Sequence, residues 1–218
     1  RRAHREGGRD PRLTTDFDDG ARLAEDRATP RRCYTHDPLD LRPISTLPND
    51  AERAVVDRIL GPAVDSPATR GFLEARGWRH WLLPVLHAIQ RRFGWLTPGA
   101  MGYACERLHV PPAEAYGVAT FYALFSVVER APVVAHVCDD VACHAAGAET
   151  ITKQLHDRLG PAGETRDGAT WLRSPCLGLC ERAPAAMLTV AGPRATEGAW
   201  GNTDANAICA ALTSRAAP

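Results

Sequence analysis

The stretch VVAHVCDDVACHAAG, residues 133–147, joins two kinds of sequence. Its first half is a run of small and β-branched apolar residues, which reads as a buried strand. Its second half carries Cys138 and Cys143, with four residues between them, and runs into a helical pattern. That spacing is not the Cys-x-x-Cys of a thiol–disulfide enzyme, and too few further ligands follow locally to close a zinc knuckle. A second pair follows, with 32 residues between Cys143 and its first member, in SPCLGLCERAP (174–184): Cys176 and Cys180, with three residues between them.

Outward from the first pair, residues 145–159 are expected to be a helix with Ala148, Ile151, Leu155 and Leu159 inward and Gly160-Pro161 at its end. ATWLRS (169–174) and AAMLTV (185–190) read as strands. Ala191-Gly192 suits a turn, after which a fourth strand would run to about Trp200. Thr203 is placed as the cap of a last helix carrying Ile208 and Leu212. The order strand, helix, strand, strand, strand, helix resembles a thioredoxin-like α/β layer.

Towards the N-terminus the period changes to helical. NDAERAVVDRILGP reads as a helix capped by Asn49 or Asp50, with Val55, Ile59 and Leu60 on one face. SPATRGFLEARG (66–77) is a weaker helical candidate. In WRHWLLPVLHAIQRRFG, Trp81, Leu82, Val85, Leu86, Ile89 and Phe93 keep a helical period, and Pro84 requires the helix to start just before it. Thr97 and Pro98 open a further helix with Met101, Cys105 and Leu108 on one face. Another follows Pro111-Pro112 and ends in aromatics. Residues 1–47 hold few large apolar groups and read as a flexible tail. The fold class expected is α+β: an N-terminal helical bundle over 48–126, then a thioredoxin-like α/β domain over 131–214.

The totals exclude more than they assign. The 218 residues carry 26 basic and 26 acidic side chains, so nothing global points to nucleic acid. No apolar stretch approaches the roughly 20 residues of a membrane span, and no secretory leader is expected. A reducing, cytoplasmic setting is therefore expected. The seven cysteines then read as metal, cluster or core residues rather than a disulfide framework.

Both cysteine pairs follow strands, and loops at one edge of a sheet can approach each other. Four thiolates meeting there could hold a 2Fe–2S cluster, two per iron, or a structural zinc ion. The wide Cys-x4-Cys and Cys-x3-Cys loops suit two metal centres better than one. Such a site is a net anion and calls for donors: the helix start at 145–147, Gly178, Arg182 and His144 are the candidates, while Asp139 and Asp140 are expected to face water. Cys105 and Cys209 read as core, Cys33 as a bystander, and His144 as no ligand. Trp95, Tyr116, Phe121, Tyr122 and Phe125 read as core or partner contacts. No paired-acid geometry suggests acid–base catalysis, so no catalytic residue is expected.

CLGLCERAP (176–184), LLPVLHAIQRRFGWLTPGAM, VPPAEAYGVATFYALF and WGNTDANAI resemble the complex I 24 kDa-type subunits. These are the thioredoxin-like 2Fe–2S ferredoxins of NADH dehydrogenases, NAD-reducing hydrogenases and NAD-dependent formate dehydrogenases. The resemblance covers about residues 50–213. It implies a non-catalytic electron-transfer subunit with Cys138, Cys143, Cys176 and Cys180 as ligands of one 2Fe–2S cluster. It also implies a flavoprotein partner subunit holding FMN and NAD, and further iron–sulfur subunits. No Gly-x-Gly-x-x-Gly occurs, so no nucleotide is placed on this chain. The sequence departs from the family pattern at Trp171 and Arg173 and in a shorter gap between the cysteine pairs. The reading from another class is a zinc-stabilised interaction module without a redox role.

Overall fold

Local signals that do not depend on the rest of the chain set the first helices. In the computed structural model, which describes residues 46–62 and 77–216, α1 (Asp50–Leu60) opens on a capping box. The Asn49 side chain accepts from the Glu52 amide at 2.9 Å, and Glu52 accepts from the Asn49 amide at 2.8 Å. Val55 and Leu60 are buried, and so is Val56, beside the face read from the sequence. The candidate helix at 66–77 lies almost wholly outside the described residues, as do the tail up to residue 45 and Cys33.

A short 3-10 turn, Arg79–Trp81, leads into α2 (Leu82–Phe93). Pro84 sits in the first turn, where its missing amide costs no helical bond. Trp81 was expected on the apolar face but belongs to the preceding turn and is exposed. The helix stops at Gly94, whose φ of 85° suits glycine. Thr97 caps α3 (Pro98–Leu108), with Pro98 in the first turn. Gly99 lies close to α1: a Cβ at this position would lie 2.6 Å from Glu52 Oε2 and would displace that carboxylate. The Thr97 hydroxyl donates to the same carboxylate, so Glu52 ties the starts of α1 and α3 together. Helix α4 (Pro112–Phe121) completes this part. Its core is Val56, Val85, Leu86, Ile89, Leu108 and their neighbours, with Phe125 at its margin.

The second part is a four-stranded sheet. Its elements are β1 (Val133–Cys138), α5 (Val141–Ala145), α6 (Ala148–Leu159), β2 (Ala169–Ser174), β3 (Ala185–Val190), β4 (Thr196–Gly201) and α7 (Ala205–Ala216). The strand order is β2-β1-β3-β4. β1 runs parallel to β2 and antiparallel to β3, and β3 is antiparallel to β4. Alternation along β1 places Val133, Ala135 and Val137 against Ile151 and Leu155 of α6 and Ile208 and Leu212 of α7. Both helices thus cover one face of a mixed sheet, the thioredoxin-like arrangement expected. β2 and β3 begin and end where the sequence placed them.

Two expectations are corrected. Helix 145–159 is divided: the chain forms the one-turn α5, breaks at Gly147 with φ 92°, and resumes as α6. The cap of α7 is Asp204, which accepts from the Ala207 amide at 2.8 Å. Thr203 instead accepts from the Trp200 indole N–H at 2.8 Å.

The helical part meets the sheet through backbone. The Gly192 amide donates to Arg91 at 3.0 Å, and Arg130, before β1, donates to the Gly94 carbonyl at 2.9 Å. Burial lowers the Arg130 pKa to about 10.

Candidate metal centre

The site follows from the parallel pairing of β1 and β2. Cys138, the last residue of β1, is in register with Ser174, the last of β2, and the Asp139 amide donates to the Ser174 carbonyl at 3.1 Å. Parallel strands end at the same edge, so the two cysteine loops leave the sheet side by side.

The first loop turns at once into α5, which Asp140 caps and which carries Cys143. Cys138 and Cys143 are 1 % and 2 % exposed. The second loop runs from Pro175 through Gly178, whose φ is 77°, into a 3-10 turn at Cys180–Arg182. There Cys176 Sγ and Cys180 Sγ are 3.4 Å apart, and the Gly178 amide donates to Cys176 Sγ at 3.4 Å. Cys176 and Cys180 are exposed, so the arrangement has an inner and an outer pair.

All four cysteines line one cavity of about 320 Å³, with Asp140, Val141, Ala142 and Ala145 around them. Their electrostatics show the same proximity. Burial, then a hydrogen bond shared with Cys138, push the Cys143 thiol up to about 11; a hydrogen bond from the Ala185 backbone opposes this, and Cys180 adds to the rise. The Cys180 thiol is raised chiefly by its hydrogen bond with Cys176, and also by Cys138. Thiols that resist losing protons beside one another will lose them to a cation.

The donor set fits a group that takes sulfur ligands in two pairs. A zinc ion needs its donors about 2.3 Å from one point. The cysteines lie as two pairs, Cys138 with Cys143 and Cys176 with Cys180, around one cavity.

The surroundings differ from expectation. The Ala146 and Gly147 amides are not free donors: they are bonded to the Ala142 and His144 carbonyls at 3.1 and 3.0 Å. Arg182 pairs with its neighbour Glu181, and His144 is exposed. Neither aspartate is left to water alone. Asp139 accepts from Arg173 at 3.2 Å, and Asp140 accepts from the Val141 and Cys176 amides at 2.7 and 3.2 Å. The sequence signal for Asp140 was available, since an Asp just before a helical turn is a cap.

Gly201 is a residue the sequence reading passed over. A Cβ on it would lie 2.3 Å from the Arg182 carbonyl oxygen. That close approach lets the Asn202 amide donate to the same carbonyl at 2.6 Å, and the Thr203 amide donate to Pro184 at 3.1 Å. The end of β4 therefore clamps the turn that carries Cys180. Cys105 lies in the helical core and Cys209 packs at the sheet core, both away from the cavity, as expected.

Similarity to known proteins now gives the class. The model of the thioredoxin-like [2Fe-2S] ferredoxin family matches residues 72–196. The chain belongs to that family, whose members carry a 2Fe–2S cluster. It is 38 % identical over 112 residues to a subunit of the NADH-quinone oxidoreductase of Pseudomonas aeruginosa. It is 37 % identical over 112 residues to the corresponding subunit from Escherichia coli K12. Each match covers 49 % of this chain and 66 % of the relative, so the chain spans just under two thirds of the length of these relatives. A solved NAD+-reducing [NiFe]-hydrogenase in the air-oxidized state aligns with a TM-score of 0.48 and 26 % identity, over 62 % of this chain and 22 % of that one. No helix among the described residues is long and apolar enough to cross a membrane.

Proposed function

We propose that this chain is the 2Fe–2S electron-transfer subunit of an NAD-linked oxidoreductase complex, with Cys138, Cys143, Cys176 and Cys180 as the cluster ligands. The observation that carries the reading is the meeting of two cysteine pairs in one cavity at the shared end of β1 and β2. The cluster supplies one-electron transfer when bound. The chain's own residues supply position and environment. β1 and α5 hold the inner pair out of water, and the exposed outer pair leaves a route for electrons to a partner surface. The partner is a flavoprotein subunit holding FMN and NAD, alongside further iron–sulfur subunits, and the assembly lies in the cytoplasm or at its membrane face. The related NADH-quinone oxidoreductase subunits support this assignment. Two separate apolar cores support a division of labour between a helical domain at 48–126 and a redox domain at 131–214.

The test is iron content and electron paramagnetic resonance of the purified chain. Wild type is expected to bind about two irons and to give the signal of a reduced 2Fe–2S centre. Cys176→Ser should lose most of that iron, and Cys105→Ser should keep it. Equal iron in both variants, or zinc in place of iron, would refute the assignment.

A further inference from the structure

Two consecutive aspartates follow Cys138, and the fold uses them differently. Asp139 faces Arg173, a cation that it shares with Glu149, held at 3.0 and 3.2 Å. Asp140 holds backbone. One carboxylate oxygen accepts from the Val141 amide at 2.7 Å, at the start of the turn carrying Cys143. The other accepts from the amide of Cys176 itself, at 3.2 Å, in the loop 36 residues away.

A helix cap needs only the first of these bonds. The second crosses from the inner cysteine loop to the outer one. Bonds from amides to a carboxylate are stronger than neutral ones, and an asparagine would put a donor NH2 where one of the two accepting oxygens stands. Asp140 also lines the cavity, so its charge stands beside the sulfurs.

We propose that Asp140 is a positioning residue: its carboxylate staples the Cys176 loop to the Cys138–Cys143 loop and places a fixed negative charge at the mouth of the metal cavity. The staple sets the outer cysteine pair against the inner pair. The charge opposes the gain of an electron there and holds the midpoint potential down, because net charge near a cluster is one of the determinants of its potential. The proposal rests on the four-cysteine reading given above.

The test compares wild type, Asp140→Ala and Asp140→Asn as full chains carrying their clusters. Three quantities are measured: hydrogen exchange of the peptide spanning 174–180 by mass spectrometry, iron release to a chelator, and midpoint potential. In Asp140→Ala the Cys176 amide should exchange roughly tenfold faster, and iron should leave several-fold faster. Asp140→Asn should fall between, and both variants should move the midpoint positive by similar amounts, since both remove the charge. Wild-type exchange in Asp140→Ala, or a wild-type midpoint in both variants, would reduce Asp140 to a helix cap and overturn the proposal. If Asp140→Ala does not fold, Asp140→Asn decides by the same exchange and midpoint criteria. A wild-type chain that binds no iron would defeat the cluster reading instead, and faster exchange at Cys176 would still uphold the tie between the loops.

Discussion

Cys105 and Cys176 are chemically the same side chain in opposite surroundings, one buried and one exposed. Cys105 is buried in the helical core; burial first, then Glu106 and Glu114, raise its thiol from 9.0 to about 11. Unfolded, this thiol loses its proton near 9; folded, it keeps it until about 11. Between those values the folded state binds more protons, so stability should fall as pH rises from about 9 to about 11. Urea unfolding at about pH 8 and about pH 10.5 should show this fall, and Cys105→Ala should lessen it, with an effect on the order of 2 kcal/mol. Gly201 shows a different residue-scale dependence. Its Cβ would collide with backbone, which cannot rotate aside as a side chain can. Gly201→Ala should cost roughly 1–3 kcal/mol, read as a lower urea midpoint, with iron retained less well because the Cys180 turn is displaced.

Elements with their own start and stop signals were legible from sequence. Asn49 and Thr97 begin helices because the bonds they make are local, Pro98 suits a first turn because its missing amide costs no helical bond, and Gly94 ends a helix because its φ suits glycine. The run after Cys143 was misread because its helical period continues across a break at Gly147. How elements join was not legible. Arg107 of α3 is 4 % exposed and reaches back to α1: it bonds Asp57 and donates to the Gly61 carbonyl at 2.8 Å. The Tyr103 hydroxyl donates to the same Asp57 carboxylate at 2.9 Å. Asp57→Ala would leave the guanidinium buried without its carboxylate. Because Asp57 is about one-third exposed, the expected loss is moderate, about 2 kcal/mol, measured by denaturant unfolding. The exposed Arg91–Glu197 pair should contribute far less.

At the scale of the molecule, the sheet has one face under α6 and α7 and delivers both cysteine loops to one edge. All four proposed ligands are thiolates, and Asp140 adds charge, so the midpoint potential should be low, near the roughly −400 mV of plant-type four-cysteine centres. A redox titration of the purified chain giving a clearly positive midpoint would contradict both the ligand set and its environment. The helical part is bonded to the sheet at Arg91, Gly94 and Arg130, and of these only Gly94, as a helix stop, had a role assigned from sequence.

The sequence by itself determined the order of the elements apart from α5, the bounds of β2 and β3, the caps at Asn49 and Thr97, the helix stop at Gly94 and which four cysteines lie together. These depend on periodicity, on side chains bonding backbone a few residues away, and on spacing within a loop. Only the tertiary structure decided that Asp140 reaches Cys176, that Gly201 must lack a side chain and that Glu52 joins two helices. Each of those depends on the approach of segments well separated along the chain. Such approaches are fixed by strand register and core packing, which leave no local pattern in the sequence.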